Sequence, residues 1–396
     1  MRALLAGLAL LALGARVEAQ LQVYHVAIGQ GEQYWEKYGH NMLWFSDPAA
    51  GLDAAYNWGT FDFASPDFLQ RQLVGDPQYW VQAEPGEAII RAYAARNRTV
   101  TLQRLNFTPA QAQRALDYAR RNALPENRHY RYDYFRDNCS TRVRDVIDYA
   151  LNGELKRATS ERVKLTYRGE TLRLLDDMPV TQFGTHVALG QPADRLLTVW
   201  ESMFIPMRMR DALRMVRLPA GAGRTTPLVA QERVVYESTR FRDRASVPAL
   251  WIPYLVIGLI LGVEFLAVAG LGRRSRAADV IFRVETAVFA LIAGVFGVVL
   301  SLAWTITRHE FWFRNENLLL FNPLSLFVAA LAVLSIWKPR FARPAAMAAL
   351  IVAGMAALAL VLKVVPGFRQ NNIAMILLML PPHAAIAYTL WRRRVP

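Results

Sequence analysis

One cysteine, Cys139, stands among 396 residues. A lone thiol excludes an internal disulfide framework, and a free thiol outside the cytoplasm is exposed to oxidation. Histidine is also scarce, with His25, His40, His129, His186, His309 and His383 the only candidates for an imidazole base. Acidic residues number 32 against 46 Lys and Arg, which leaves a formal charge of +14. That excess does not mark a nucleic-acid surface. A large share of it gathers beside apolar segments, at Arg273, Arg274 and Arg276, at Lys338, Arg340 and Arg343, and at Arg392, Arg393 and Arg394. Such clusters act as topology signals, while the scattered basic residues leave open a face for anionic lipid headgroups. Long repeats and low-complexity segments are missing too.

Apolar residues are abundant, at 54%, and unevenly spread. From Gln20 to about Ser246 the chain is mixed and charged; from Val247 onward long apolar runs are broken only by short basic or amide-rich stretches. This shift sets the expected domains: 1–19 a signal peptide, 20–246 an exported domain, and 247–396 a membrane bundle. Met1-Arg2, an apolar run to about Leu13, and Val17-Glu18-Ala19 have the form of a cleavable secretory signal. With no cysteine in that segment, the protein is not itself expected to be a lipoprotein.

Five windows suit about 30 Å of hydrocarbon at 1.5 Å per residue. They run approximately Leu250 to Leu271, Val280 to Ile306, Leu318 to Trp337, Ala345 to Leu362 and Ile373 to Trp391. With the N-terminal part exported, all three basic clusters fall on the cytoplasmic side. The loops Arg308 to Asn317 and Lys363 to Asn372 face outward with four Lys or Arg. A bacterial inner membrane location follows, with the N-terminal domain periplasmic and the C-terminus cytoplasmic. Glu264, Arg283 and Glu285 lie inside the windows, where an inter-helix ion pair or snorkelling accounts for them. The outer loop Thr307 to Leu324 carries His309, Asn315, Asn317 and Asn322, as caps and interfacial anchors or as a floor that presents lipid.

In the exported part, strands are expected over Leu21 to Ala27, Asn41 to Phe45 and Ala54 to Phe61, with Glu87 to Tyr93 and Thr99 to Leu105 as a further hairpin. Thr108-Pro109-Ala110-Gln111 starts a helix to about Ala123. A second helix follows Asp137-Asn138, with Val143, Val146, Ile147, Ala150 and Leu151 at helical spacing and Gly153 as a stop. Arg208 to Arg217 reads either as a helix on the membrane surface or as one packed on the domain.

Asn138 as N-cap puts Cys139 in the first turn, where unsatisfied N–H groups favour the thiolate. Arg136, Arg142 and Arg144 push the same way if they face the site. For a base, His40 stands at the head of a strand, with His25 in reserve. His129 sits in a basic turn and His383 on a membrane helix near Pro381-Pro382.

Several blocks in this order resemble the Lnb N-terminal periplasmic domain family. They are Tyr38-Gly39-His40, Asn57-Trp58-Gly59-Thr60-Phe61-Asp62, Asp137-Asn138-Cys139-Ser140-Thr141-Arg142 and Arg144-Asp145, with Thr166-Tyr167-Arg168 and Asp194 to Pro206 as further matches. The resemblance covers roughly residues 21–220, and a multi-span C-terminus fits the full-length architecture. It implies an α+β, permuted papain-like domain, akin to lecithin:retinol acyltransferase-like proteins and NlpC-type peptidases, followed by an all-α bundle of five transmembrane helices. By the same resemblance Cys139 is the nucleophile, His40 the base and Asn57 the third polar group, with Asp62 as the fallback. Tyr38, Asn41, Asn138, Arg142, Tyr167, Arg168, His309 and Asn315 complete the expected site lining.

The implied reaction is lipoprotein N-acyltransfer. A fatty acyl chain would pass from a phospholipid donor to the amine of a diacylated lipoprotein acceptor, through an acyl-thioester, with no metal or organic cofactor. The alternative is a membrane-tethered cysteine peptidase or amidase acting on cell-wall peptides. A third reading makes the bundle a transporter or sensor and the exported domain a binding module. Under each the chain works with the membrane and not with nucleic acid.

Overall fold

The computed structural model describes residues 21–219, 221, 223–272 and 275–393. The expected signal peptide, and Arg273, Arg274 and Arg394 of the basic clusters, lie outside the described residues. The chain folds into two compact units that interleave in sequence. The first comprises residues up to 68, 77–163 and 197–243; the second comprises 69–76, 164–196 and 244 onward. The composition shift near Ser246 therefore marks where the apolar windows begin, whereas 164–196 of the charged half folds with them.

The first unit is α+β. Its strands are β1 (Gln22–Ile28), β2 (His40–Asp47), β3 (Leu52–Thr60), β4 (Gln78–Glu84), β5 (Val100–Leu105), β6 (His129–Arg131), β7 (Arg217–Pro219), β8 (Thr225–Pro227) and β9 (Val229–Tyr236). Seven form one sheet in the order β6-β4-β3-β2-β1-β5-β9, with β7 and β8 as a separate ribbon. All neighbours are antiparallel, with β1 central between β2 and β5.

Strand alternation gives the sheet two apolar faces. Val23, Leu43, Phe45 and Trp58 pack with Leu116, Val143, Val146 and Ile147 of the two helices Pro109–Asn122 and Cys139–Ala150. Val26, Ile28, Met42 and Leu102 face the other way, against Ile90 and Tyr93. Pro206–Met215 closes the first face, with Met209, Ala212 and Leu213 buried in its core, so this segment packs on the domain. Both expected helix starts are present. Thr108 accepts from Gln111 N–H in a capping box, and Asn138 caps the second helix.

The expected hairpin of Glu87 to Tyr93 with Thr99 to Leu105 is corrected. Gly86–Ala95 is a helix, and β5 pairs with β1 and β9 instead. A short run with Ile89, Ile90 and Tyr93 fits either period. Gly86 decides it, because a Cβ there would meet Trp44 Nε1 at 2.2 Å, so the bare backbone seats the first turn against the indole.

Among its described residues the second unit has four helices long and apolar enough to cross a membrane: Trp251–Gly272, Arg276–Ile306, the run Pro339–Val364 and Ile373–Arg392. Of the expected span Leu318 to Trp337, Ser325–Trp337 forms a shorter apolar helix of 13 residues, after a 3₁₀ turn at Glu316–Leu319. Asn322 and Pro323 intervene, with Asn322 accepting from Leu324 N–H. Outward rows such as Ile260, Val263, Leu291 and Ile292 are exposed, as lipid-facing surface requires. Small residues bring helices together: a Cβ on Gly258 would meet Leu377 O at 2.3 Å, and one on Gly297 would meet Phe321 O at 2.6 Å.

The charges inside the expected windows pair differently from expectation. Arg283 donates to Asp279 at 2.9 Å on its own helix and to Ser335 on a neighbour, whereas the Glu264 and Glu285 carboxyls approach each other. Asn315 Nδ2 donates to Val187 O and Ala188 O at 2.9 and 2.8 Å, closing the helix Pro179–Ala188.

Arg168 fixes the 164–196 segment. Its guanidinium pairs with both oxygens of Asp194, at 2.8 and 2.9 Å, and donates to His186 O, Leu189 O and Gly190 O. Removing one partner of such a buried pair strands the other charge. Arg168→Ala is therefore expected to cost about 3–5 kcal/mol, read as a lowered thermal midpoint of the full chain, and an unchanged midpoint would contradict this role.

Candidate functional site

The Cys139–Ala150 helix begins where Asn138 turns the chain. Asn138 Oδ1 accepts from Ser140 N–H and Thr141 N–H, both at 2.9 Å, and Thr141 Oγ1 accepts from Asn138 N–H at 2.8 Å. The Asn138 amide also donates to Tyr134 O and Phe204 O. The cap therefore locks the first turn at both ends of one side chain. Cys139 stands at its first position, 8% exposed.

His40 opens β2 on the face of Met42 and Trp44, whereas the Cys139 helix packs on the face of Leu43 and Phe45. Plain alternation would keep them apart. The β3–β4 register shifts between Trp58 and Thr60, and Gly59 there takes φ +109°. A Cβ built on Gly59 would lie 3.2 Å from Cys139 Cβ and 3.6 Å from His40 Cε1. The bulge thus brings thiol and imidazole to one point that no side chain fills. Gly39 supports it from the other end, with φ +80° and Ile28 O only 2.7 Å from where a Cβ would be.

Asn57 Oδ1 lies 2.6 Å from His40 Nε2. An acceptor there holds the proton on Nε2 and leaves the Nδ1 lone pair free. The fallback Asp62 is not in this contact, since its carboxylate accepts from Ala64 N–H at 2.8 Å in a turn. Asn41 is fully buried with its side chain between His25 Nε2, at 3.0 Å, and Ser140 Oγ, at 2.7 Å. His25 is thereby committed to Asn41 and to Gln103, so the reserve base is a core residue. Tyr38 sets its ring edge to Tyr34.

Burial decides the electrostatics, against the expected thiolate. The Cys139 thiol is pushed up to about 11 by burial, although the backbone N–H groups of Asn41 and Ser140, the Tyr132 hydroxyl and Arg98 favour the anion. His40 is drawn down to about 4 by burial and by Arg98, against the opposing hydrogen bond to Asn57. At pH 7 both groups are neutral. Two expected cations do not serve the sulfur: Arg142 chelates Asp137 and stacks 4.1 Å from Tyr130, and Arg144 pairs with Asp145 at 2.8 Å and covers Trp200.

Two residues of the site escaped sequence reasoning. Arg98, buried, donates to Gly29 O and to Glu36 at 3.1 Å, and is the cation nearest in effect to both groups. It stood inside an unremarkable Asn97-Arg98-Thr99 triplet. Tyr132 stacks on Tyr79 at 4.2 Å, and its hydroxyl favours the Cys139 anion. The alternating aromatics Tyr130, Tyr132 and Tyr134 just before Cys139 were its only signal.

Four expected lining residues belong to the second unit and are engaged there. Arg168 is spent on Asp194 and three carbonyls. Tyr167 is buried against Phe311, its hydroxyl accepting from Arg195 at 3.2 Å. His309 meets Gln72 O at 2.9 Å and stacks on Trp312, and Asn315 holds the two carbonyls named above. Among the described residues no three His, Cys, Asp or Glu side chains converge to hold a metal.

The chain matches the model of the Lnb N-terminal periplasmic domain over residues 17–177 and that of the Lnb transmembrane domain over 246–394. The chain belongs to the Lnb family. No curated protein and no solved structure matches it. The Lnb periplasmic-domain match includes Cys139, His40 and Asn57, and all three lie within the first unit.

The neutral pair gives a direct prediction. A thiol raised to about 11 has a thiolate fraction that grows about tenfold per pH unit below that value. Iodoacetamide labelling of Cys139 is therefore expected to rise without a plateau from pH 6 to 9. A rate already level at pH 7 would reveal a preformed ion pair. The signs for stability follow: the raised thiol favours folding below its unfolded value and loses that contribution as pH climbs toward about 11, and the lowered His40 destabilises the fold as pH falls toward about 4.

Proposed function

We propose that this Lnb-family chain is a membrane-bound thiol acyltransferase. It moves a fatty acyl chain from a phospholipid to the N-terminal amine of a diacylglyceryl-cysteine lipoprotein, through a thioester on Cys139. The observation that carries the reading is the meeting of a helix-start thiol with an imidazole whose far nitrogen is held at 2.6 Å by an amide oxygen. The Lnb family brings the second support, since it joins this periplasmic domain to a membrane bundle, where both lipid substrates reside.

In the first half-reaction, sulfur attacks the ester carbonyl as His40 Nδ1 takes the thiol proton. Because burial keeps the pair neutral, proton transfer and bond formation proceed together and an exposed thiolate is avoided. The oxyanion forms beside the Asn41 and Ser140 N–H groups and the Tyr132 hydroxyl. Collapse breaks the carbon–oxygen bond, and the departing lysophospholipid alkoxide takes the proton from His40. In the second half, His40 accepts a proton from the attacking amine, the carbon–sulfur bond breaks, and the amide leaves with Cys139 reprotonated.

The Asn57 amide orients the ring and stabilises the transient imidazolium without supplying a charge. In this reading the chain lies in the bacterial inner membrane, with Ser325–Trp337 as a fifth crossing and the C-terminus in the cytoplasm. Lys338, Arg340, Arg343, Arg392 and Arg393 supply the inside-positive charge.

Cys139→Ser is expected to leave lipoproteins without an N-linked acyl chain, seen by mass spectrometry of a lipoprotein N-terminal peptide. Unaltered acylation in that variant would sink the proposal, and loss of cell-wall peptide cleavage in its place would favour the amidase. Asn57→Ala is expected to lower the acylation rate about 10- to 100-fold while leaving Cys139 reactive to alkylation; an equal rate would remove Asn57 from the mechanism.

A further inference from the structure

The surface near the site holds large rings where a charged periplasmic domain would normally present polar groups. Trp35 is 46% exposed and Phe63 57% exposed, their ring centroids 5.0 Å apart. From Phe63 the rings continue inward without a gap. Phe61 lies 4.7 Å from Phe63, Tyr79 lies 4.9 Å from Phe61, and Tyr132 stacks on Tyr79 at 4.2 Å, its hydroxyl one of the groups that favour the Cys139 anion. Every step of this wall is aromatic, and it runs from solvent to the thiol within the first unit.

We propose that this wall is the seat of the lipid hydrocarbon chain, holding the acyl group along Trp35, Phe63, Phe61 and Tyr79 while its ester carbonyl lies at Cys139. The inference rests on the acyltransfer reading and assigns the donor's chain to named residues. A hydrocarbon chain needs apolar contact, which the ring faces offer. A peptide laid along the same path would leave its backbone N–H and C=O groups facing ring surfaces, at a desolvation cost. Trp and Phe at the open end suit a chain drawn from a bilayer interface, and the polypeptide is itself anchored in a membrane. Tyr132 joins the two functions, with its ring in the wall and its hydroxyl favouring the Cys139 anion.

The test uses the full chain in phospholipid nanodiscs with two chromogenic esters, p-nitrophenyl acetate and p-nitrophenyl palmitate. Acyl transfer to Cys139 releases p-nitrophenolate and adds the acyl mass to the Cys139 peptide. Trp35→Ser with Phe63→Ser is compared with Trp35→Leu with Phe63→Leu. Both positions are exposed, so the fold does not depend on them. The palmitate-to-acetate rate ratio is expected to fall about tenfold or more with serine, as lost apolar burial requires, and to be retained with leucine. An unchanged ratio in the serine variant overturns this inference alone, as does a defect confined to the amine-acceptor step, which would seat the lipoprotein peptide there. Absence of any Cys139 adduct in the unaltered protein overturns the acyltransfer reading and this inference with it.

Discussion

Gly59 holds φ at +109° with Cys139 on one side and His40 on the other, and the first unit is organised so that nothing else occupies that point. A methyl group there would press on Cys139 Cβ at 3.2 Å in a backbone conformation that L side chains rarely adopt. The sheet supplies His40 and Asn57 from neighbouring strands. The Asn138 cap supplies Cys139 from a helix on the opposite face. The bulge alone lets the two faces meet. Gly39, pressed against Ile28 O, and Asn41, held between His25 and Ser140, keep the strand that carries His40 from shifting.

That close approach is also why the site is neutral at rest. The helix start and its N–H groups do favour the sulfur anion, as the sequence suggests, but removal from water outweighs them and raises the thiol. The same burial lowers His40. A neutral pair resists oxidation better than a standing thiolate, which suits a lone thiol outside the cytoplasm. It also ties sulfur activation to the arrival of a carbonyl in the proposed reaction.

Local signals read well from the sequence. The Thr108 and Asn138 caps, the first-turn position of Cys139, the β2 and β3 strands and four apolar windows depend on neighbours within a few residues. What depends on distant pairing did not show. β4 and β9 join the sheet through partners far along the chain, and the Gly86–Ala95 helix is chosen by Trp44, over 40 residues earlier. Residues 164–196 look like more of the charged domain, yet Asn315 and Gln370 bind them to the rest of the second unit through Val187 O, Ala188 O and Leu189 O. Tyr167, Arg168, His309 and Asn315 were therefore legible as marked residues and illegible in role. Asn57 was legible because it falls on the strand next to His40. Arg98 was not, since its influence comes from burial beside Gly29 O, which no local pattern encodes.

The central claim is that Cys139 carries the acyl group and His40 activates it. The most direct measurement is the mass of the Cys139 peptide after the full chain is incubated with phospholipid and no amine acceptor. The account predicts a fatty-acyl increment that hydroxylamine removes, present in the unaltered protein and absent in His40→Ala. A Cys139 peptide that stays unmodified in the unaltered protein, or one acylated equally in His40→Ala, would contradict it.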